Sequence, residues 1–446
     1  MKLSSEQIIA EVKKSSNPKV KVAVTDLDGV LRGKYIHKDK FLSAVESGFG
    51  FCNVIFGWDM NDLAYDDCQF TGWHSGYPDA TARLDLQTFR KVPWDNDVPF
   101  FLGDFDLDVC PRNLLKKVKN EAVEMGFRPF FGQEFEWFNF KETTEDLNAR
   151  DFNKPQFLTP GMFGYSLLRM SKNAAFFNDI YDLLAKFNVP IEGLHTETGP
   201  GVIEAAILYG DVLESADRAV LFKSAVREIG HRHGIMPTFM AKVSDKLPGC
   251  SGHIHQSLWD EKSNLFYDEK GEHGISPIME SYIAGLLHCL PHVLPLYAPT
   301  INSFKRLVEG AWAPTTITWG IDNRTTCVRA LPISPKSTRI ELRVVGSDAN
   351  PYLAHAAALA SGLYGIKHNL KLTIPRTEGN GYKDLRNGVL ARNLLEANEL
   401  MKNSNVASEL FGESFVKHFC DSRDWEWKQH QKAVTDWEFK RYFEIV

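Results

Sequence analysis

The sequence predicts an α+β fold, a curved and mostly antiparallel sheet backed by helices, and three observations predict it. Short strands lie scattered along the chain, at spacings too irregular for βαβ units. Helical periodicity fills the stretches between them. Four of the strands carry metal-ligand or phosphate-binding side chains on a single face.

The polar faces come first. In a strand, alternate side chains point to opposite sides, so within 338–345 Arg339, Glu341 and Arg343 share one face and Ile340, Leu342 and Val344 the other. In 251–257 His253, His255 and Ser257 share a face; in 132–138 Glu134 and Glu136 do. In 194–197 His195 and Glu197 do so too, and Glu204 follows seven residues later. Alone, any such row reads as a solvated edge or a ladder of salt bridges. Clustered carboxylates repel unless cations hold them, so four such faces together mark a wet functional surface.

The elements follow in order. Residues 1–14 alternate charges with Leu3, Ile8, Ile9 and Val12, an amphipathic helix without the apolar core of a signal peptide. Strands at 21–24 and 31–36 flank Asp28-Gly29 as a hairpin. A helix spans 37–46 and stops at 47–50, and 57–97 is mostly loop. Helical spacing over 111–125, stopped by Gly126, marks a composition shift, and we divide the chain there into 1–109 and 110–446. Strands are expected at 130–140, 162–170, 190–197, 238–243, 251–258, 316–320, 326–331 and 339–345. Helices are expected at 172–187, 215–234, 277–289 and 350–369, with a charged helical end over 390–446.

Composition bounds the function. A 446-residue chain with 43% hydrophobic and 24% charged residues has the profile of a soluble enzyme. The net charge of −6, with no basic run, argues against a nucleic-acid surface. Seven cysteines without a CxxC pair fit a reducing compartment. The apolar stretch 279–299 is broken by His288, Pro291, His292 and Pro295, which makes it a buried helix and not a membrane span. A cytoplasmic protein without membrane or nucleic-acid partners is expected.

One motif competes. Asp26 and Asp28, within 22–30, match the first motif of the haloacid dehalogenase phosphatases, and Asp104 and Asp108 fit their GDxxxD pattern. Such a protein is a Mg²⁺-dependent phosphohydrolase working through an aspartyl phosphate. Asp-Gly in a hairpin is also ordinary turn chemistry. A phosphatase site there would leave the polar strands of 130–345 without a task.

The polar strands resemble those of the glutamine synthetase family, and the likeness runs nearly end to end. Gln133-Glu134-Phe-Glu136-Trp-Phe resembles the family's Glu-x-Glu-Phe motif, 195–204 its second carboxylate segment and 251–258 its histidine signature. Asn302-Ser-Phe-Lys-Arg306-Leu-Val, Asn323-Arg324, Arg339-Ile-Glu341-Leu-Arg343 and Asp348-Ala-Asn350-Pro-Tyr-Leu follow in the family's order. Trp437-Glu-Phe-Lys-Arg441-Tyr-Phe is similar to its C-terminus.

The resemblance implies an N-terminal β-grasp domain, a glutamine-synthetase-type catalytic domain, and ATP with two or more Mg²⁺ or Mn²⁺ ions per site. Glu136, Glu197 and Glu204 would hold one ion, and Glu134, His253 and Glu341 another that bridges the ATP phosphates. Five glutamates and one histidine suit hard cations better than zinc. His255, Ser257, Lys336 and Arg339 would face the nucleotide, and Arg324 the γ-phosphoryl group in flight. Arg306 and Arg343 would grip the carboxylates of glutamate as bidentate partners. His195 is open between a packed and a functional role. Asp59 is implied to enter a neighbouring subunit's site and help deprotonate the amine. A homo-oligomer follows, a dodecamer of two hexameric rings with sites between subunits. The implied chemistry is γ-phosphoryl transfer to a carboxylate, then displacement of phosphate from the acyl phosphate by an amine.

Three departures refine it. Ammonia-using members follow the arginine at position 306 with a flap reading Pro-Gly-Tyr-Glu-Ala-Pro; here 309–314 reads Glu-Gly-Ala-Trp-Ala-Pro, and the flap glutamate is Trp312. An indole offers an apolar or cation–π wall to an amine with a carbon substituent. That resembles the family's γ-glutamyl amine ligases of amine catabolism. Pro248-Gly249-Cys250 replaces the family's Asn-Gly-Ser, leaving Gly249 as the implied contact to the acyl substrate. The family's regulatory tyrosine loop is absent near 380–395. The expected activity is therefore ATP-dependent γ-glutamyl amide formation. An ammonia-using glutamine synthetase is the alternative, and a non-catalytic structural member, which would have lost metal ligands present here, is another.

Overall fold

The computed structural model describes residues 3–446, so Met1 and Lys2 of the expected N-terminal helix lie outside the described residues. The first unit comprises α1 (Ser5–Lys14), β1 (Lys19–Thr25), β2 (Leu31–His37), α2 (Lys38–Ser47), β3 (Phe49–Cys52), β4 (Asp79–Leu84), β5 (Arg90–Val92) and β6 (Val98–Asp104). Ser4 opens α1 with a capping box to Gln7, and Ile8 and Val12 turn inward. The strands form a mixed sheet in the order β2-β1-β6-β4-β3, with β1 and β6 parallel and β5 beside β6. This is the N-terminal grasp unit.

The β1–β2 turn explains the phosphatase-like aspartates. Gly29 sits at φ +83°, with the Asn350 Cα 3.0 Å from where a Cβ would lie, so this close left-handed turn requires glycine. Asp26 Oδ1 accepts from the Asp28 and Val30 amides at 3.1 and 2.8 Å, and Oδ2 from Arg32 Nε at 2.8 Å. Asp28 is buried against Arg423, at 2.6 Å. Asp104 pairs with Arg112 and Lys116, and Asp108 with Lys117. All four carboxylates hold the turn and the seam between units, and the phosphatase alternative is corrected accordingly.

The second unit begins with α3 (Pro111–Glu124), whose proline stands in the first turn where its missing N–H costs nothing. Then come β7 (Arg128–Phe140), α4 (Thr144–Asn148), α5 (Leu167–Lys172), α6 (Ala174–Lys186), β8 (Ile191–Thr196), β9 (Val202–Ile207), β10 (Gly210–Asp211), α7 (Val212–Arg232), β11 (Met236–Thr238) and β12 (Ile254–Trp259). After them run α8 (Pro277–Tyr297), α9 (Ser303–Arg306), β13 (Trp319–Ile321), β14 (Val328–Leu331), β15 (Arg339–Leu342) and α10 (Pro351–Lys367). The chain ends in α11 (Leu394–Lys402), α12 (Asn405–Phe411), α13 (Glu413–Lys432) and α14 (Asp436–Tyr442).

Nine strands make one sheet with the path β13-β14-β15-β12-β7-β9-β8, while β10 and β11 pair with the ends of the long β7. Only β13–β14 is parallel. The apolar face of β12, β14 and β15 lies in one core with α8 and α10. Those two helices touch backbone to backbone: a Cβ on Gly285 would stand 2.2 Å from the Ser361 carbonyl oxygen. Among the described residues, no helix is long and apolar enough to cross a membrane.

Several expected elements shift. Residues 162–170 form no strand, because Gly161 and Tyr165 take left-handed backbone and Ser166 then caps α5. Only Thr238 of the expected strand 238–243 is in β11, and the rest is loop. α8 continues past 289 to Tyr297 through Pro291 and Pro295, held by its burial against α10. β9 was not anticipated.

Candidate active site

Register builds the site as two rows of side chains across one sheet face. In the first row His195 on β8 stands opposite Glu204 on β9, and Glu204 opposite Glu136 on β7. In the second, Arg329 on β14 faces Glu341 on β15, Glu341 faces His255 on β12, and His255 faces Gly132 on β7. Glu134 lies on β7 between the rows, on the same face as Glu136 and Gly132.

The first row is rich in acid. His195, Glu197 and Glu204 bring one ligand atom each within 4.8 Å of one another. His195 Nε2 is 3.3 Å from Glu204 and Nδ1 3.8 Å from Glu197. Glu136 accepts from the Ser251 amide at 2.7 Å. Burial, then the neighbouring Glu204 and Glu197, push its carboxyl up to about 8. Burial also raises Glu204, although His195 opposes it. Burial lowers His195, but Glu204 and Glu197 outweigh it and the imidazole ends above its ordinary value. No arginine or lysine forms an ion pair with these acids among the described residues.

The second row is rich in cations. Glu134, His255 and Glu341 again bring ligand atoms within 4.8 Å. Glu341 receives Arg343 on one oxygen and Arg329 on the other, the latter at 2.7 Å. Burial raises its carboxyl, but His253 and Arg343 overcome that and hold it at about 2. His253 Nδ1 lies 3.3 Å from Glu341 and 3.8 Å from Glu134. Its Nε2 is buried without a hydrogen-bond partner. Burial, reinforced by Arg343, brings this imidazole down to about 4, so it is neutral at pH 7, the form that ligates metal. His255 Nδ1 accepts from Arg339 Nε at 3.1 Å, which leaves the proton on Nε2, 3.1 Å from Glu134. Glu134 therefore meets both histidines and is held well below the usual carboxylate range despite its burial.

Beside the second row opens a cavity of about 340 Å³ lined by His255, Ser257, Lys336 and Arg339, four of the five residues expected around a nucleotide. Gly132, opposite His255 in the sheet, lines it too. Arg324, the fifth, lines a separate shallow depression with Arg376 and Glu378.

The expected substrate arginines are engaged within the protein. Arg306 is 1% exposed; Nη1 donates to the Val344 carbonyl at 2.9 Å, and Nη2 to the Arg343 carbonyl and Ser251 Oγ at 3.0 Å. Only its Nε lacks a partner. Arg343 donates to Glu341, to the Arg324 carbonyl at 3.1 Å and to the Trp312 carbonyl at 3.4 Å. Both guanidinium groups meet partners of their own chain in this structure. Arg306 ties the backbone at Arg343 and Val344 to the Ser251 hydroxyl and packs against Gly249. A Cβ on Gly249 would lie 2.7 Å from Arg306 Cγ and 2.5 Å from the Ala241 carbonyl oxygen, so only glycine fits. Trp312 stands 58% exposed at φ +58°.

Asp59 lies apart from the two rows. Its carboxylate accepts from the Asn61 and Leu63 amides and from Trp425 Nε1 at 3.0 Å, all in its own chain. It lines an interdomain crevice that none of the six expected metal ligands reaches. Two residues join the site that the sequence had not offered. Arg329 was discoverable as the polar member of the 328–331 alternation. Tyr165, whose ring stacks on His195 at 4.4 Å between centroids, had no signal beyond its place between glycine and serine.

Residues 108–442 match the glutamine synthetase catalytic domain. The chain is 50% identical over 454 residues to type-1 glutamine synthetase 2 of Dictyostelium discoideum, covering 99% of this chain and 87% of that protein. It is 34% identical over 446 residues to the glutamate–isopropylamine ligase of a Pseudomonas species, covering 98% and 97%. Among solved structures it superposes on a GmaS/ADP complex with a TM-score of 0.85 at 27% identity, over 98% of this chain and 99% of the other.

Proposed function

The chain belongs to the glutamine synthetase family and is an ATP-dependent ligase that forms C–N bonds, and from that premise we propose that its nucleophile is an organic amine and its product a γ-glutamyl amide. Trp312 carries the proposal: an exposed indole stands where ammonia-using members place the flap carboxylate. The 34% identical relative that uses isopropylamine and the GmaS/ADP complex support it. We assign the domain division to 109/110 and the site to a ring oligomer, in which Asp59 would serve a neighbour after releasing Trp425.

The donor set fits divalent cations. Glu136, Glu197 and Glu204 crowd three carboxyls together without a paired arginine or lysine, which raises Glu136, and His253 is neutral with Nε2 free. We assign these three glutamates to one ion, and Glu134, His253 and Glu341 to the other, with His195 and His255 close enough to share them. Bound there, the cations supply charge neutralisation for phosphoryl transfer. The remaining steps belong to the chain. Lys336 and Arg339 line the cavity taken by ATP, and Arg339 fixes the His255 tautomer. Arg324 meets the transferred phosphoryl group. Arg343 and Arg329 hold Glu341 ionised, and the Arg306–Gly249 contact shapes the bed for glutamate. The γ-carboxylate attacks the γ-phosphorus, ADP leaves, and the amine displaces phosphate from the acyl phosphate while losing its proton to Asp59.

Phosphate release with ATP and glutamate across methylamine, isopropylamine, ethanolamine, a diamine and ammonium tests the proposal. A kcat/KM highest for an organic amine is expected. Ammonia as nucleophile is the second reading, favoured by the 50% identical Dictyostelium relative, and a kcat/KM highest for ammonium would establish it.

A further inference from the structure

A second large cavity lies away from the two polar rows and shares only Asp59 with the proposed reaction. It is a crevice of about 790 Å³ between the two units, a size typical of small-molecule sites. Neither its walls nor its floor include a residue of the two polar rows. One wall is cationic. Lys223 and Arg227, one turn apart on α7, and Lys305 on α9 face the space. Lys223 is 7% exposed, and Nζ donates to the Ser347 and Ala349 carbonyls at 2.8 and 3.2 Å. Arg227 donates only to the Lys223 carbonyl, at 3.4 Å. Among the described residues none of the three cations has a carboxylate partner.

The other wall is acidic. Asp59 comes from the first unit and Glu426 from α13, and Glu426 has neither a hydrogen bond nor an ion pair among the described residues. Asp28 beside them is already neutralised by Arg423. Asp348 Oδ2 accepts from Thr300 and Ser303, while its Oδ1 is buried without a partner. Asp348 is the acid that Lys223 feels, and it offsets only part of the effect of burial. Burial and then Arg227 bring Lys223 down to about 7, whereas burial, with Asp28 and Asp59, raises Glu426 against the pull of Arg423.

We propose that this crevice is a second ligand site, for a free α-amino acid zwitterion. A dianion would satisfy Lys223, Arg227 and Lys305 but meet repulsion from Asp59 and Glu426. A simple amine would satisfy the acids and leave three cations bare. A molecule that carries both a carboxylate and an ammonium group satisfies both walls, and the volume leaves room for a polar side chain. The site is independent of which amine the reaction uses.

Calorimetric titration of L-glutamine into the full-length enzyme tests this, with glutarate and butylamine as the two half-ligands. L-glutamine should bind, with the half-ligands competing at least tenfold more weakly. The double variant Arg227→Met/Lys305→Met and the single variant Glu426→Gln should each weaken L-glutamine binding at least tenfold, with kcat/KM for glutamate unchanged. These side chains make no ion pairs in the fold, and unchanged melting temperatures would confirm that both variants are intact. Isotherms identical to wild type in both variants would overturn the site. Glutarate competing on equal terms would overturn the zwitterion. A parallel fall in kcat/KM for glutamate would merge the crevice with the reaction site and overturn its independence.

Discussion

Glu136 and Glu341 lie on the same face of the same sheet and are both buried, yet they are opposite in character. Glu136 is pushed up to about 8 and Glu341 held at about 2. Burial is common to the two. The difference is counter-charge, since Glu136 faces Glu204 and Glu197 while Glu341 has an arginine on each oxygen. A buried carboxylate without a protein cation is set up to receive one from solution; a carboxylate between two arginines is part of the scaffold, whatever else it also ligates.

The largest test of that contrast is Glu136→Gln. Phosphate release at saturating Mg²⁺ should fall on the order of a hundred- to a thousandfold if the residue holds a cation as proposed. In chelator, however, the same variant should melt no lower than wild type, because glutamine keeps a neutral side chain where burial and the neighbouring acids disfavour a charged one. A melting point several degrees lower without metal would break the comparison. Glu341→Gln should behave in the reverse way. It strands the buried Arg343, while Arg329 keeps Asp322, and should cost about 3–5 kcal/mol of stability with or without metal, read from urea unfolding.

The contrast also explains what could be read from the chain beforehand. Strict alternation made β7, β12 and β15 legible, with Glu134, Glu136, His255 and Glu341 on one face. β9 was hidden because Val202, Ile203, Ala205 and Ile207 form a nearly continuous apolar run around Glu204, too short to separate from a loop after Gly199-Pro200-Gly201. The grip of Arg306 on backbone carbonyls could not be foreseen, because sequence shows that an arginine exists and not which acceptors reach it. The segment 162–170 was misjudged for a local reason. Its apolar residues alternate loosely enough to resemble a strand, but Gly161 and the left-handed Tyr165 break it.

A reference where burial acts without a carboxylate sharpens the comparison further. His418 on α13 lies against Cys68 Sγ at 3.6 Å, and burial, with Arg423 and Lys417, brings it down to about 4. Its folded value is below the unfolded one. The stability it contributes is therefore fully present above about pH 6.5 and lost as pH falls through 4, on the order of 3 kcal/mol. His418→Gln should flatten the stability profile of the metal-free enzyme across that window, and an unchanged slope would remove burial alone as the cause.

The smallest effect comes from placing a charge at the arginine-rich end. Trp312→Glu adds a carboxylate beside the loop whose carbonyl receives Arg343. The ratio of kcat/KM for the preferred amine to that for ammonium should fall about ten- to two-hundredfold, equivalent to about 1–3 kcal/mol. An unchanged ratio would return the nucleophile to ammonia.

The buried pair between Asp28 and Arg423 has a consequence for biosynthesis. The partners are 395 residues apart, and Asn350 adds hydrogen bonds to the Asp26 and Leu27 carbonyls across a similar span. At about 5–20 residues per second, a ribosome needs roughly 20–80 s between the first partner and the second. Throughout that interval the β1–β2 turn carries an unmatched aspartate at a surface that will later be interior. The first unit can fold early and meet α3 and α7 through Arg112 and Arg90, but the seam at the β1–β2 turn closes only with α13, so stop codons that remove α13 should yield a chain with a formed N-terminal sheet and protease cleavage confined to that turn.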